Sequence, residues 1–212
     1  MNDTASPLKL RRKPVQQRSR MTQQAILDAF VRLLVEKGYA DLTMRDIALV
    51  AGVGLGTLYE YFPGKKSIAA HCIHERFKSI GTQMQVWVAS QRGKPLQVII
   101  AYLIEQIIHM HAEKTDEWSA LIFLERQISN LEAYASLYGQ IVDIWELAFQ
   151  ASDDRQNYPG KSPAVVHAAV YGVLYQTLML SPQSLLEAEF LAQMKNLVLG
   201  YLQIADLSVR IR

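Results

Sequence analysis

The segment Thr43 to Phe62, TMRDIALVAGVGLGTLYEYF, holds hydroxyl, guanidinium, carboxylate and phenol groups in a pattern suited to recognition. Thr43 precedes Asp46 by three residues, the spacing of a capping box, in which a hydroxyl takes an open backbone N–H and an acid sits near the positive end of a helix. Gly52 suits the left-handed turn that ends such a helix, and a second helix then starts two or three residues later, near Gly54. Two short helices joined by a Gly-containing turn form a helix-turn-helix. Ile47, Ala48, Val53 and Leu58 supply its apolar wedge, with Ala48 allowing close approach. The second helix is thereby presented outward, at a diameter that fits the major groove of B-form DNA. Upstream, Arg11, Arg12, Lys13, Arg18 and Arg20 form a basic arm. Its composition fits either a solvated tail or a segment that neutralises phosphates or enters the minor groove.

Other chemistry-bearing groups are sparse. There is no Gly-rich phosphate loop, no G-x-S-x-G elbow, no H-E-x-x-H and no paired-cysteine cluster, so no catalytic motif and no cofactor is expected. His71 and His74 flank Cys72 at a spacing that suggests a metal, but without a third ligand nearby no metal site is assigned. Downstream, Tyr134, Tyr138, Ile141, Trp145 and Ala148 share one helical face. Tyr102, Trp118 and Phe123 lie on neighbouring helices, with His109, His111, Arg126 and Gln127 as polar groups among them.

The elements that carry these residues read as helices throughout, with no alternating pattern long enough for a strand. The spacing predicts helices over about 22–37, 44–51, from 54 to a stop at Phe62-Pro63-Gly64, and 65–89. Further helices are expected from Pro95 through an apolar run, over 115–129, 131–151, 163–180 and 183–206. The stretch SDDRQNYPGK, residues 152–161, is the clearest long loop. The fold class is therefore all-α with about nine helices: three short ones in front and a larger helical body behind. On the last two helices, Ala164, Ala168, Ala169 and Gly172 are small residues. Leu186, Phe190, Met194, Leu197, Val198, Tyr201, Leu202 and Ala205 make a long apolar stripe. That is more apolar face than a terminal helix needs to dock on its own body, which points to a homodimer.

The 212 residues are half apolar and carry a net charge of only +2. That is enough apolar content to bury a core, which excludes wholesale disorder. The small total hides an asymmetry. Residues 1–80 hold 13 Lys and Arg against 7 Asp and Glu, a net +6, and the rest hold 9 against 13, a net −4. A basic front on an acidic body is expected when only the front meets a polyanion. The single cysteine excludes an internal disulfide framework and suits a reducing cytoplasm. No apolar run follows the basic N-terminus as in a secretory signal, and the most apolar stretches fall short of the ~20 residues that cross a bilayer, so no membrane partner is expected.

The residues Thr43-Met-Arg45-Asp46-Ile47-Ala48, then Ala51-Gly52-Val53, then Gly56-Thr57-Leu58-Tyr59-x-Tyr61-Phe62 and Lys65, resemble the TetR family of bacterial transcriptional regulators. The resemblance covers roughly residues 20–70. It implies a basic flexible arm over 1–18, a helix-turn-helix DNA-binding domain over 19–66, and an effector-binding and dimerisation domain over 67–212. By the same resemblance Thr43, Arg45 and Lys65 meet phosphates, and the recognition helix brings Gly54, Leu55, Gly56, Thr57, Glu60 and Tyr61 to DNA, while Leu58, Tyr59 and Phe62 pack the small domain. Gly54 stands where a capping residue is usual, Leu55 where a polar one is usual, and Glu60 is an acid beside phosphates. An effector pocket would draw on Tyr102, His109, Trp118, Phe123, Arg126, Tyr134, Tyr138 and Trp145. A homodimer would use Ala164, Ala168, Gly172, Phe190, Met194, Leu197, Val198 and Tyr201. The implied function is a repressor released from a palindromic double-stranded operator by a small apolar or aromatic effector. The alternatives are an activator, or a helical protein-interaction module whose helix-turn-helix is not used in this way.

Overall fold

The computed structural model describes residues 13–204 and contains nine α-helices and no strand among them. The helices are α1 Lys13–Asp41, α2 Met44–Ala51, α3 Leu55–Tyr61, α4 Lys65–Ser90, α5 Leu96–Ala112, α6 Thr115–Ile128, α7 Leu131–Ala151, α8 Pro163–Leu180 and α9 Ala188–Gln203. The chain divides into two compact units, the first ending at Ala69 and the second beginning at Ala70.

In the first unit, Ile26, Phe30, Leu33 and Leu34 on α1 bury against Leu42, Ile47, Ala48, Leu58, Phe62 and Ile68. α1 differs from the sequence expectation at both ends. It begins at Lys13, so Arg18 and Arg20 lie on an exposed helical turn and not in an arm, while Arg11 and Arg12 fall outside the described residues. It is also broken at Gly38, whose φ of 75° is left-handed, and one further helical turn follows. A residue with a Cβ is disfavoured in that conformation, which is why the break falls on glycine. Lys65 at the head of α4 holds this last turn, with its ammonium donating to the carbonyls of Tyr39 at 2.6 Å and Ala40 at 3.3 Å. It lies 4.4 Å from the centre of the Tyr39 ring.

In the second unit, α5 is the central element. Leu96, Ile99, Ile100, Leu103, Ile104, Ile107 and Ile108 are all buried, while Val98 is left largely exposed. Around α5 pack α6, α7 and α9, with α8 against α6, α7 and α9. The long loop appears as expected, with one 3-10 turn at Arg155–Asn157. Asp154 from this loop accepts the Leu96 N–H at 2.7 Å and so closes the open end of α5.

The last helix is shorter than its sequence pattern suggests. Pro182–Leu186 forms a 3-10 turn whose Leu185 is buried, and α9 starts only at Ala188. α8 meets the length and hydropathy of a membrane-spanning helix, although a third of it is buried inside the bundle.

Candidate nucleic-acid interface and ligand cavity

The α2–turn–α3 unit forms as its residues dictate. Thr43 Oγ1 accepts the Asp46 N–H at 3.2 Å, and Asp46 Oδ2 accepts both the Thr43 N–H at 3.2 Å and its hydroxyl at 2.8 Å. That hydroxyl bond, with Lys37 3.6 Å away, holds the Asp46 carboxyl below its ordinary range. Gly52 takes the left-handed conformation at φ 67° and ends α2. Ile47, Ala48 and Leu58 are buried in the wedge, whereas Val53 is only half-buried.

Several expected contact residues are exposed and others are not. Arg45, Gly54, Leu55, Gly56 and Glu60 are exposed, and Thr57 and Tyr61 are half-buried. Tyr61 reaches back to α1, its hydroxyl donating to Ser19 Oγ at 3.1 Å. Tyr59, expected in the core with Leu58 and Phe62, is 50% exposed: α3 turns only Leu58 of its own residues fully inward, and Tyr59 lies on the neighbouring face. The Thr43 hydroxyl donates its single proton to Asp46, so its role in this arrangement is to cap α2. Lys65 uses two of its three N–H groups on α1 carbonyls.

The second unit holds a cavity walled by α4, α5, α7 and α8. A smaller void adjoins it, sharing Phe77, Ile141, His167 and Tyr171 and adding Glu125, Tyr134 and Tyr138. Of the residues read as pocket candidates, His111, Ile141 and Trp145 line the first, and Tyr134, Tyr138 and Ile141 the second. Trp118 lies behind the wall. Its ring centre is 4.3 Å from that of His111, and its indole N–H donates to Met110 O at 3.2 Å. His109, Phe123 and Arg126 are exposed on the outer faces of α5 and α6, and Tyr102 does not line either void.

The sequence reading missed the α8 wall. His167, Tyr171 and Tyr175 recur every four residues, the same helical spacing that marked α7, and Tyr171 stacks on Tyr175 at 3.8 Å. Phe77, Ile80 and Met84 contribute the α4 wall.

Burial shapes the electrostatics of this cavity. It pushes the His111 and His167 imidazoles down to about 4, keeps the Glu125 carboxyl above its ordinary range, and raises the Tyr171 and Tyr175 phenols. Around pH 7 both imidazoles are therefore neutral. Among the described residues, no group of three His, Cys, Asp or Glu side chains is placed to hold a metal ion.

The residues expected at a dimer interface separate into two sets. Ala168, Gly172 and Leu197 are exposed, and Ala164, Phe190 and Tyr201 are half-buried. Met194 and Val198 point the other way and are buried in the core of their own unit, so they are not available to a second copy. The stripe read as one continuous face is in fact two, because α9 is wide enough in apolar residues to serve both sides. Tyr201 also accepts the Ser162 N–H at 2.9 Å on its hydroxyl.

The fold and these two sites define a two-unit helical protein with a helix-turn-helix head. The family model described as bacterial regulatory proteins, tetR family, matches residues 26–72. That match covers the helix-turn-helix head and the first turns of α4. A helix-turn-helix-type transcriptional regulator of Mycobacterium tuberculosis is 31% identical over 72 residues, which is 34% of this chain and 36% of that relative. The chain thus aligns with about a third of the length of the first curated relatives it matches. A solved TetR family transcription regulator from Marinobacter aquaeolei VT8 has a TM-score of 0.69 at 15% identity, over 88% of this chain and 97% of its own. The transcriptional regulator FadR from Bacillus subtilis, solved in complex with stearoyl-CoA, has a TM-score of 0.68 at 19% identity, over 85% and 97%. These likenesses establish the fold of both units.

Proposed function

We propose that this protein is a homodimeric DNA-binding transcriptional regulator of the bacterial cytoplasm, a repressor that leaves a palindromic operator when a small apolar or aromatic effector fills the cavity of its second unit. One observation carries the DNA-binding reading. α3 is anchored from beneath by Leu58 and followed by buried Phe62, while Leu55, Gly56, Tyr59 and Glu60 stand exposed along it. An anchored short helix with an outward face is what a major groove accepts. Arg18, Arg20 and Arg45 add exposed positive charge on the same unit, and phosphate contacts position such a helix without reading sequence.

Dimerisation is supported by the exposed small and apolar residues of α8 and α9. A two-fold pair would set two α3 helices on half-sites about one DNA turn apart or a multiple of it, hence the palindrome. Effector control is supported by the cavity, and a neighbour of the same fold is solved in complex with stearoyl-CoA. Function by binding, without catalysis, is consistent with relatives named as transcriptional regulators.

The test is a mobility-shift titration of the full chain on the DNA upstream of its own gene and its neighbours. A discrete shift that survives an excess of unrelated DNA is expected. Binding that unrelated DNA abolishes at equal mass would overturn the reading.

A further inference from the structure

Four polar side chains that line or adjoin the cavity are almost completely buried: His111 (2% exposed), Trp145 (1%), His167 (5%) and Glu125 (2%). His111 Nε2, Trp145 Nε1, His167 Nε2 and Glu125 Oε2 each make no hydrogen bond within the chain. Buried polar atoms are ordinarily paired, and leaving one unpaired is destabilising. Four clustered around one pair of voids therefore indicate a polar guest among apolar walls.

The proton positions follow from the neighbours. His111 Nδ1 lies 2.7 Å from the carbonyl oxygen of Ile107. A carbonyl only accepts, so Nδ1 carries the hydrogen, and in the neutral imidazole Nε2 is left with its lone pair as an acceptor. The Arg76 guanidinium, 4.9 Å from the centre of the Trp118 ring that His111 stacks on, further disfavours a second positive charge on this imidazole. Trp145 Nε1–H is a donor only. The wall thus offers the His111 acceptor and the Trp145 donor, beside His167 Nε2 and the Tyr171 hydroxyl, which are also unpaired.

No Lys, Arg or Asp lines either void. Arg76 is instead occupied by Glu117 at 3.1 Å. A carboxylate guest would lose its hydration and find no counter-charge in either void. Phe77, Trp145, Tyr171 and Tyr175 give flat aromatic surfaces, which favour a planar guest.

We propose that the cavity binds a compact, uncharged aromatic molecule bearing a hydroxyl, a phenol in the simplest case, whose O–H donates to His111 Nε2 and whose polar oxygen accepts from Trp145 Nε1–H. This assignment rests on the effector reading for its regulatory meaning but not for its chemistry. A phenol hydroxyl both donates and accepts, so one functional group can answer both wall atoms. His167 and Glu125 extend the polar lining into the adjoining void, where a second hydroxyl or a carbonyl would be accommodated.

The experiment is calorimetric titration of the full chain with three probes of one shape: 4-ethylphenol, ethylbenzene and 4-ethylbenzoate. 4-Ethylphenol is expected to bind about tenfold or more tightly than ethylbenzene, and 4-ethylbenzoate not to bind measurably. His111→Phe, which keeps a ring and removes the acceptor, should lower 4-ethylphenol affinity about tenfold and leave ethylbenzene unchanged. In the wild-type chain, the indole N–H resonance that Trp145→Phe deletes should move downfield when the phenol is added. Equal binding of phenol and ethylbenzene, tighter binding of the benzoate, or no phenol binding by a chain that still shifts DNA would overturn the assignment. Phenol binding that leaves DNA affinity untouched would support the assignment while removing the effector reading.

Discussion

Thr43 and Asp46 illustrate what is legible one residue at a time. Their three-residue spacing specifies a reciprocal cap that needs no distant partner, and the structure forms it with three hydrogen bonds. Thr43→Ala should cost about 1 kcal/mol in urea denaturation, and Thr43→Ser should restore most of it. Lys65 was not legible in the same way. Its carbonyl partners lie some 25 residues upstream, on a turn that exists only because Gly38 breaks α1. The buried histidines make a second residue-level prediction. With folded values of about 4 against an ordinary 6.5, His111 and His167 are protonated first in the unfolded chain, so their contribution is intact above pH 6.5 and is lost as pH falls toward 4. Full expression of one such shift is ~3 kcal/mol. Glu125, raised by burial, acts with opposite sign, favouring the folded chain as pH falls toward its ordinary range. The two imidazoles should outweigh it, so the urea midpoint should drop between pH 7 and pH 5, and His111→Phe should make that drop shallower. A midpoint unchanged or rising over that interval would contradict the balance.

At the scale of elements, local signals placed most boundaries and tertiary contacts decided the rest. α2, α7 and α8 begin and end where capping residues, Pro163 and the flanking loops put them, because those signals act within a few residues. α9 departs from its pattern because burial of Leu185 holds the preceding residues in a 3-10 turn, an event that depends on what α8 and α5 offer as a dock. The apolar width of α9 concealed which side faces inward, so Met194 and Leu197 looked equivalent in sequence yet have opposite fates. For the cavity, the α7 aromatic stripe was readable, but membership was not. Tyr134 and Trp145 face inward, and Phe123 on the preceding helix faces out, which only the packing of α6 determines. Asp154 gives this scale its prediction. It closes α5 from a loop far along the chain, so Asp154→Ala should cost about 1 kcal/mol in thermal or urea unfolding. Asp154→Asn, whose amide oxygen can still accept, should lose less.

Over the whole molecule, the charge asymmetry of +6 and −4 divides at about the same place as the two compact units, and so does the proposed division between reading DNA and sensing a ligand. The exposed face of α8 and α9 has a different kind of consequence. Val165, Met179 and Leu197 each leave 40% or more of their surface uncovered, on helices whose other sides are already packed. If a second copy covers them, folding becomes a reaction of two chains, and its equilibrium depends on how many are present. The melting temperature should then climb by several degrees between about 0.5 and 50 μM protein, and a single exposed charge, Leu197→Glu, should abolish the climb without lowering the temperature measured at the dilute end. A melting temperature that ignores concentration would mean those side chains serve the single chain alone. In a cell that holds few copies, the same dependence would make abundance itself an input: the number of chains would determine how many are paired, and so how many are fit to hold a two-fold DNA site.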